Sequence, residues 1–261
     1  EHFNTRLFDR GHGKISLTPA GEVVLGYTEK ILSLSTELDI RISELTGVVQ
    51  GPLLVGASMT IAESVLPRVL GEFKVAYPGV MARLTVANSE TIEQGVAAHN
   101  LDIGLIEAPS HLPSLSTEEC CEDELLMVCS PAHPLAKFKS VTPKQLLQHA
   151  YVSREPGSGT REVTDNYFRQ VGLSPDDVYA VMELGSPDAI KGVLEIGLGY
   201  AIMSKTIVTK EVQLGVLVAL PLAPKLTRML SLVYPREKFR SRLVSSFVEF
   251  SKSKLNGARK K

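Results

Sequence analysis

The spacing of apolar residues changes once along the chain, and the change divides it into modules. Between Leu17 and Gly47 the period is helical: Val24, Ile31, Leu38 and Leu45 stand seven residues apart, with Tyr27 and Leu34 between them. Such a repeat is the seam of a two-helix coiled coil. Thr18 stands where an N-cap belongs, Pro19 at the first helical position and Gly47 just past the end. The pattern therefore predicts one long helix over 19–47 that pairs with another copy of itself.

After Gly51-Pro52 the texture becomes short apolar runs alternating with amphipathic stretches, as in an α/β layered fold. The runs predict strands at 53–58, 81–87, 101–107, 116–121, 124–130, 150–153, 178–184, 199–203, 216–220 and 229–235. Helices are expected at 61–76, 90–98, 159–171, 187–196 and 238–254, with short ones begun by Thr142-Pro143 and between the strands at 199–203 and 216–220. "SPAHPLA" (130–136) breaks the regularity with two prolines, and a second, similar run follows it. Two lobes are expected: 52–127 with 231–261, and 128–230.

Composition narrows the function classes. The 261 residues carry a formal net charge of −1, so the body is not a bulk electrostatic nucleic-acid binder and any DNA contact is local. There is no run of 18 apolar residues and no signal-peptide pattern at the start, which points to the cytoplasm and to no membrane partner. Cys120, Cys121 and Cys129 are odd in number and lack C-x-x-C spacing, so they read as strand cysteines rather than disulfides or zinc ligands. The six histidines form no H-x-x-x-H pattern, and His133 reads as a turn residue; no metal and no cofactor is expected.

The stretch "SREPGSGTRE" (153–162) concentrates glycines and hydroxyls ahead of a helix. A dinucleotide fingerprint would need glycine where Glu162 stands, and a P-loop would need Gly-Lys four residues on. A nucleophile elbow would need wider glycine spacing than Gly157-Ser158-Gly159. What remains is a glycine-rich turn whose N–H groups face an anion at a helix N-terminus. Similar polar clusters close other strands: "ASMT" (57–60), "ANSE" (87–90) and "LGSPD" (184–188). Ligands in open α/β sheets bind outside such strand ends.

Ser58 and Thr60 are therefore assigned to one wall of a cleft and Ser158, Gly159 and Thr160 to the other, with Ser186 closing it. Met59, Ser89, Ser130, Gly157 and Arg161 complete the candidate ligand contacts. Arg161 could reach an anion or fold back on Glu155, whose own role the sequence leaves open. No nucleophile, base and orienter stand together, so catalysis is not expected.

The order of these features resembles the LysR-type transcriptional regulators over essentially the whole chain. "TRLFDRGHGKISLTPAG" (5–21) looks like the end of that family's winged helix-turn-helix and the start of its linker helix. "SPAHPLA" and "GLGYAIMS" (197–204) are similar to family features of the regulatory lobes. "REPGSGTR" (154–161) is similar to a branch containing regulators of carbon fixation and of sulfur or cysteine metabolism. The resemblance implies a two-lobe effector domain of the type 2 periplasmic-binding-protein-like fold, a dimerisation helix, and a remnant of the DNA-binding domain over 1–18.

It further implies promoter DNA as a partner, a small anionic effector, and a homodimer or homotetramer. The first helices of the DNA-binding domain are expected to lie ahead of Glu1. Arg6, Arg10, His12 and Lys14 would be phosphate contacts of the wing, which position a protein on DNA without reading sequence. Two other classes share the two-lobe architecture. A periplasmic-type solute-binding protein would lack the heptad helix and need a signal peptide, and a related enzyme would need a catalytic acid or base.

Overall fold

The computed structural model describes residues 5–11, 14–236 and 240–257. Contacts divide the chain between Val49 and Gln50.

In the first unit, strands β1 (Phe8–Gly11) and β2 (Lys14–Leu17) form an antiparallel hairpin with Phe8 opposite Leu17. Helix α1 follows over Pro19–Thr46. Its start is capped as expected: Thr18 Oγ1 accepts from the Gly21 N–H (3.0 Å) and the Thr18 carbonyl from the Glu22 N–H (2.9 Å). The same hydroxyl donates to the Arg6 carbonyl (2.7 Å), pinning the chain ahead of the hairpin to the helix. A Cβ on Gly21 would lie 2.0 Å from the Leu7 carbonyl oxygen, which explains the glycine at that turn. Gly47, at φ +71°, leaves the helix in the left-handed region open to glycine.

Along α1, Tyr27, Ile31, Leu34 and Leu38 are exposed, and Val24 is half-buried. The side chain of Leu45 lies outside the described residues, as do those of Arg10 and Lys14 and the whole of His12.

The second unit is built on one eight-stranded sheet. Its strands are β3 (Gly51–Ser58), β4 (Val80–Ala87), β5 (Ile103–Ile106), β6 (Leu115–Cys129), β7 (Tyr151–Arg154), β8 (Ala180–Leu184), β9 (Tyr200–Ser204) and β10 (Val218–Pro235). They lie in the order β4-β3-β5-β10-β6-β9-β7-β8. Helices α2 (Met59–Ser64), α3 (Leu66–Ala76), α4 (Ser89–Ala97) and α9 (Arg242–Gly257) belong to one half, and α5 (Pro143–Leu146), α6 (Gly159–Gln170), α7 (Pro187–Glu195) and α8 (Lys205–Gln213) to the other.

Three elements differ from the sequence reading. The strands expected at 116–121 and 124–130 are one continuous β6, and those at 216–220 and 229–235 are one β10. The two pair antiparallel along their length, passing from one half of the sheet to the other. Glu122-Asp123-Glu124 interrupts the apolar period where the strand leaves one core and has not entered the next. Leu222 to Lys225 leave the register on β10, with Pro221 opposite Leu126 and Leu226 opposite Leu125. The helix expected at 61–76 is likewise two, α2 and α3, because Pro67 has no N–H to continue the bonding of the first.

Alternation builds the cores. Along β6, Leu125, Met127 and Cys129 face Tyr151, Phe168 and Tyr200. Leu126 and Val128 face the other way, onto Ile190, Leu194 and Met203. In the first half Ile92 and Val96 of α4 pack on Ile106 and Val233, while Phe73 of α3 meets Phe247 of α9 edge to face at 5.0 Å. Cys120 and Cys129 are buried and all three cysteines lie on β6, as the strand-cysteine reading expects. His133 caps a 3-10 turn, its Nδ1 accepting from the Leu135 N–H.

Candidate functional site

The carboxyl ends of β3 and β5, the middles of β6 and β10, the end of β9 and the start of α6 meet where the two halves of the sheet join. At their centre lies Glu107, 1 % exposed. Its Oε1 accepts from Ser58 Oγ (2.8 Å) and its Oε2 from Thr160 Oγ1 (2.8 Å) and Arg228 Nη1 (2.9 Å). Ser58 comes from one half and Thr160 from the other, so a single carboxylate bridges the two. Arg228 Nη1 also donates to Thr160 Oγ1 (2.8 Å), which closes a ring of bonds.

The guanidinium serves a second buried acid. Arg228 Nε donates to Asp123 Oδ2 (2.9 Å), and Ser204 Oγ donates to Asp123 Oδ1 (2.6 Å). Nη2 lies 2.8 Å from Asp123 Oδ2 but out of line with it, so its N–H groups have no aligned acceptor. Burial pushes the Glu107 carboxyl up; the Arg228 charge, with the hydroxyls of Thr60, Ser58 and Thr160, outweighs that and holds it below the ordinary carboxylate range.

Other contacts hold the halves together. The Gly157 carbonyl accepts from the Glu90 N–H (3.2 Å) and the Pro156 carbonyl from Asn88 Nδ2 (3.2 Å). His111 Nε2 lies 3.0 Å from Glu162 Oε1, and Glu162's hydrogen bond and charge raise the imidazole pKa. Beside these bridges a cavity of about 430 Å³ is lined by Ser89, Glu93, His111, Ser158, Glu162 and Arg169, among others. That volume suits a small metabolite.

The sequence-assigned residues divide clearly. Ser58, Thr60, Ser158 and Thr160 are buried at the junction. Gly159 is held there by space: a Cβ would meet Ser89 Oγ at 2.8 Å and Glu107 Cβ at 3.0 Å. Gly157 (φ +80°) similarly abuts Glu90, and Met59 is half-buried at the start of α2. Ser89 Oγ lies 3.5 Å from the Glu107 N–H.

Three assignments are not brought to the carboxylate. Ser130 follows Cys129, which pairs with Tyr200 at the opposite end of β9 from Ser204. Ser186 caps α7, accepting from the Ala189 N–H (3.4 Å). Arg161 does not fold onto Glu155: its Nη1 binds the Arg154 carbonyl (3.0 Å) and pairs with Glu183, and the residue lines the 430 Å³ cavity rather than the carboxylate. Glu155 instead takes a two-pronged bond from Arg154, at 2.8 and 3.0 Å.

Glu107, Asp123, Ser204 and Arg228 were missed by the sequence reading. The available signal was a charge set in or just beyond an apolar strand, as in "LDIGLIE" and "LTRML". A charged side chain in such a place is buried only when paired.

Comparison with known proteins bears on what this junction belongs to. Residues 46–256 match the family described as LysR substrate binding domain. A probable RuBisCO transcriptional regulator of Synechocystis is 34% identical over 246 residues, 93% of this chain and 71% of that protein. The regulatory domain of Synechocystis CcmR, solved in complex with 2-PG, superposes with a TM-score of 0.72 at 26% identity, over 79% of this chain and 98% of that one. Corynebacterium glutamicum OxyR has the same fold, with a TM-score of 0.75 at 19% identity over 98% of this chain and 80% of its own.

These relatives remove the solute-carrier alternative, and they confirm the type 2 periplasmic-binding-protein-like effector fold. Among the described residues no helix is long and apolar enough to cross a membrane. With a family match spanning the whole sheet, and a regulator aligned through the helix ahead of it as well, the chain belongs to the LysR-type transcriptional regulators.

Proposed function

We propose that this regulator senses a small anionic metabolite at the junction of its two half-sheets and converts binding into a change in their spacing. The halves act as lobes, 52–127 with 231–261 and 128–230. The observation that carries the reading is the convergence of Ser58, Thr160 and Arg228 on one buried carboxylate group: donors from both sides are already arranged around two acceptor oxygens. The 26% identical CcmR domain in complex with 2-PG supports a phosphorylated or carboxylated acid of that size.

Ser58, Met59, Thr60, Ser89, Gly157, Ser158, Gly159 and Thr160 form the walls, with Arg228 as the cation. An anion bound more tightly by one lobe arrangement shifts the protein toward it by no more than the affinity difference. The exposed stripe Tyr27, Ile31, Leu34 and Leu38 supports pairing of α1 with a second copy in a homodimer or homotetramer. Promoter DNA is the macromolecular partner, with Arg6, Arg10, His12 and Lys14 contacting phosphates, and the cytoplasm is the place of action. No catalytic step is assigned.

The experiment is a thermal-shift titration with 2-phosphoglycolate, inorganic phosphate, sulfate and shikimate. A ligand of the folded state raises the midpoint with concentration. The expected order places 2-phosphoglycolate first. No shift with any of the anions at millimolar concentration refutes the anion reading.

A further inference from the structure

One guanidinium serves two buried carboxylates at the lobe junction. Glu107 and Asp123 both pair with Arg228, and all three side chains are nearly inaccessible to water. With one positive and two negative groups, the cluster carries a net charge of −1. A further anion placed among these groups meets that charge at close range, where the interaction is poorly screened.

The hydroxyls best placed to receive an anion are already engaged. Ser58 donates to one Glu107 oxygen, Thr160 and Arg228 to the other. A carboxylate gripped by a hydroxyl from each lobe and by a guanidinium is how an effector's acid group would be held. Here the occupant is a side chain of the protein.

We propose that Glu107 is an internal ligand, holding the place of the effector's acid group until the effector displaces it. This rests on the cleft reading above and adds a competitor to it. Two further features fit an exchange. Ser158 Oγ is buried with no hydrogen-bond partner, and Arg228 Nη2 has no aligned acceptor, so donors remain that Glu107 does not use. A phosphate, with more oxygens than a carboxylate, engages them; Ser158 also lines the 430 Å³ cavity that gives the incoming group room.

Exchange and lobe spacing are coupled through Gly159. Its missing Cβ would lie 3.0 Å from Glu107 Cβ, so the α6 turn sits directly against the stem of the departing side chain. Displacing the carboxylate therefore bears on a turn that belongs to the opposite lobe.

The test measures binding of 2-phosphoglycolate and of inorganic phosphate to the full chain and to Glu107→Gln by calorimetry, with circular dichroism to check the fold. Removing the competing charge is expected to tighten binding roughly tenfold or more. Wild-type binding with equal or weaker binding by a folded Glu107→Gln overturns the internal ligand and leaves the cleft reading standing. Absence of binding by both proteins overturns the cleft reading, and the internal ligand falls with it.

Glu107→Asp, whose shorter arm cannot span both hydroxyls, is expected to tighten binding several-fold and serves if the glutamine variant does not fold. A wild-type structure with 2-phosphoglycolate bound needs no variant. Glu107 released from Ser58 and Thr160 supports displacement, and Glu107 still bonded to both with ligand present overturns it.

Discussion

Arg228→Met is the most informative single change to stability. The substitution keeps a long apolar stem but leaves Glu107 and Asp123 facing each other without a cation, at side-chain exposures of 2% and 4%. Removing one partner of a buried ion pair destabilises by about 3–5 kcal/mol, because an uncompensated charge stays behind. The assay is urea unfolding followed by circular dichroism. With a slope of about 3 kcal/mol per molar for a domain of this size, the midpoint falls by about 1 to 1.7 M.

The pH dependence carries the diagnosis. In the wild type the Glu107 carboxyl is held below its unfolded value, so its contribution is present above the ordinary carboxylate range and lost as pH falls through the depressed value. Without Arg228 the largest remaining influence is burial, which raises the folded value. The sign then inverts: the variant folds best with Glu107 protonated, and its deficit shrinks between pH 7 and pH 5. Adding Glu107→Gln to Arg228→Met is expected to recover at least about 1 kcal/mol by neutralising one stranded charge. A loss below about 1 kcal/mol for Arg228→Met, or a deficit equal at pH 5 and pH 7, refutes the reasoning.

Three other outcomes are expected. Gly199→Ala places a Cβ 2.2 Å from the Ala150 carbonyl oxygen at φ +92°, so it is expected to lose roughly 3 kcal/mol, a fall of about 6–12 °C in melting temperature by calorimetry; an unchanged midpoint would contradict the packing. His111 gains its raised pKa from Glu162 across the lobes, so its contribution is present below the unfolded pKa of about 6.5 and lost as pH rises through the folded one. Because the imidazole is 64% exposed, His111→Gln should lower stability by less than about 0.5 kcal/mol at pH 6 and by nothing at pH 8.5, read as urea midpoints; equal effects at both pH values reject the pair. Burial pushes Cys120 up to about 12 and Cys129 to about 11, so at pH 8 neither should be alkylated by iodoacetamide in the native protein while both react in urea, as peptide mass spectrometry would report.

The fold was legible wherever one rule governed a segment. Thr18, Pro19 and Gly47 mark α1 because capping chemistry is local, and the loop before α6 was read as a helix start because glycine and hydroxyl spacing is local too. β6 and β10 were split because Glu122-Asp123-Glu124 and the prolines at 221 and 224 break the apolar period. Those breaks reflect a passage between two cores rather than a turn, and that is a tertiary fact. Ser58 and Thr160 were placed on opposite walls from strand-end logic alone, and the structure brings them to one carboxylate. Glu107 and Arg228 escaped because each is a solitary charge 121 residues from the other, and nothing in either neighbourhood names its partner.

The two long strands have a consequence for what kind of signal this protein can send. β6 carries the chain from one lobe to the other and β10 brings it back, side by side and hydrogen-bonded, with Arg228 directly opposite Asp123. Two bodies whose chain crosses between them in one two-stranded ribbon resist being pulled apart or slid past one another, since either motion shears the ladder. Twisting and bending of the ribbon remain as the soft coordinates. Arg228, the cation of the proposed effector site, is mounted on that axle, so on that proposal a displacement of an ångström at the site emerges at the rims of the lobes as a rotation. On the proposed dimer, what a neighbouring copy would read is an angle.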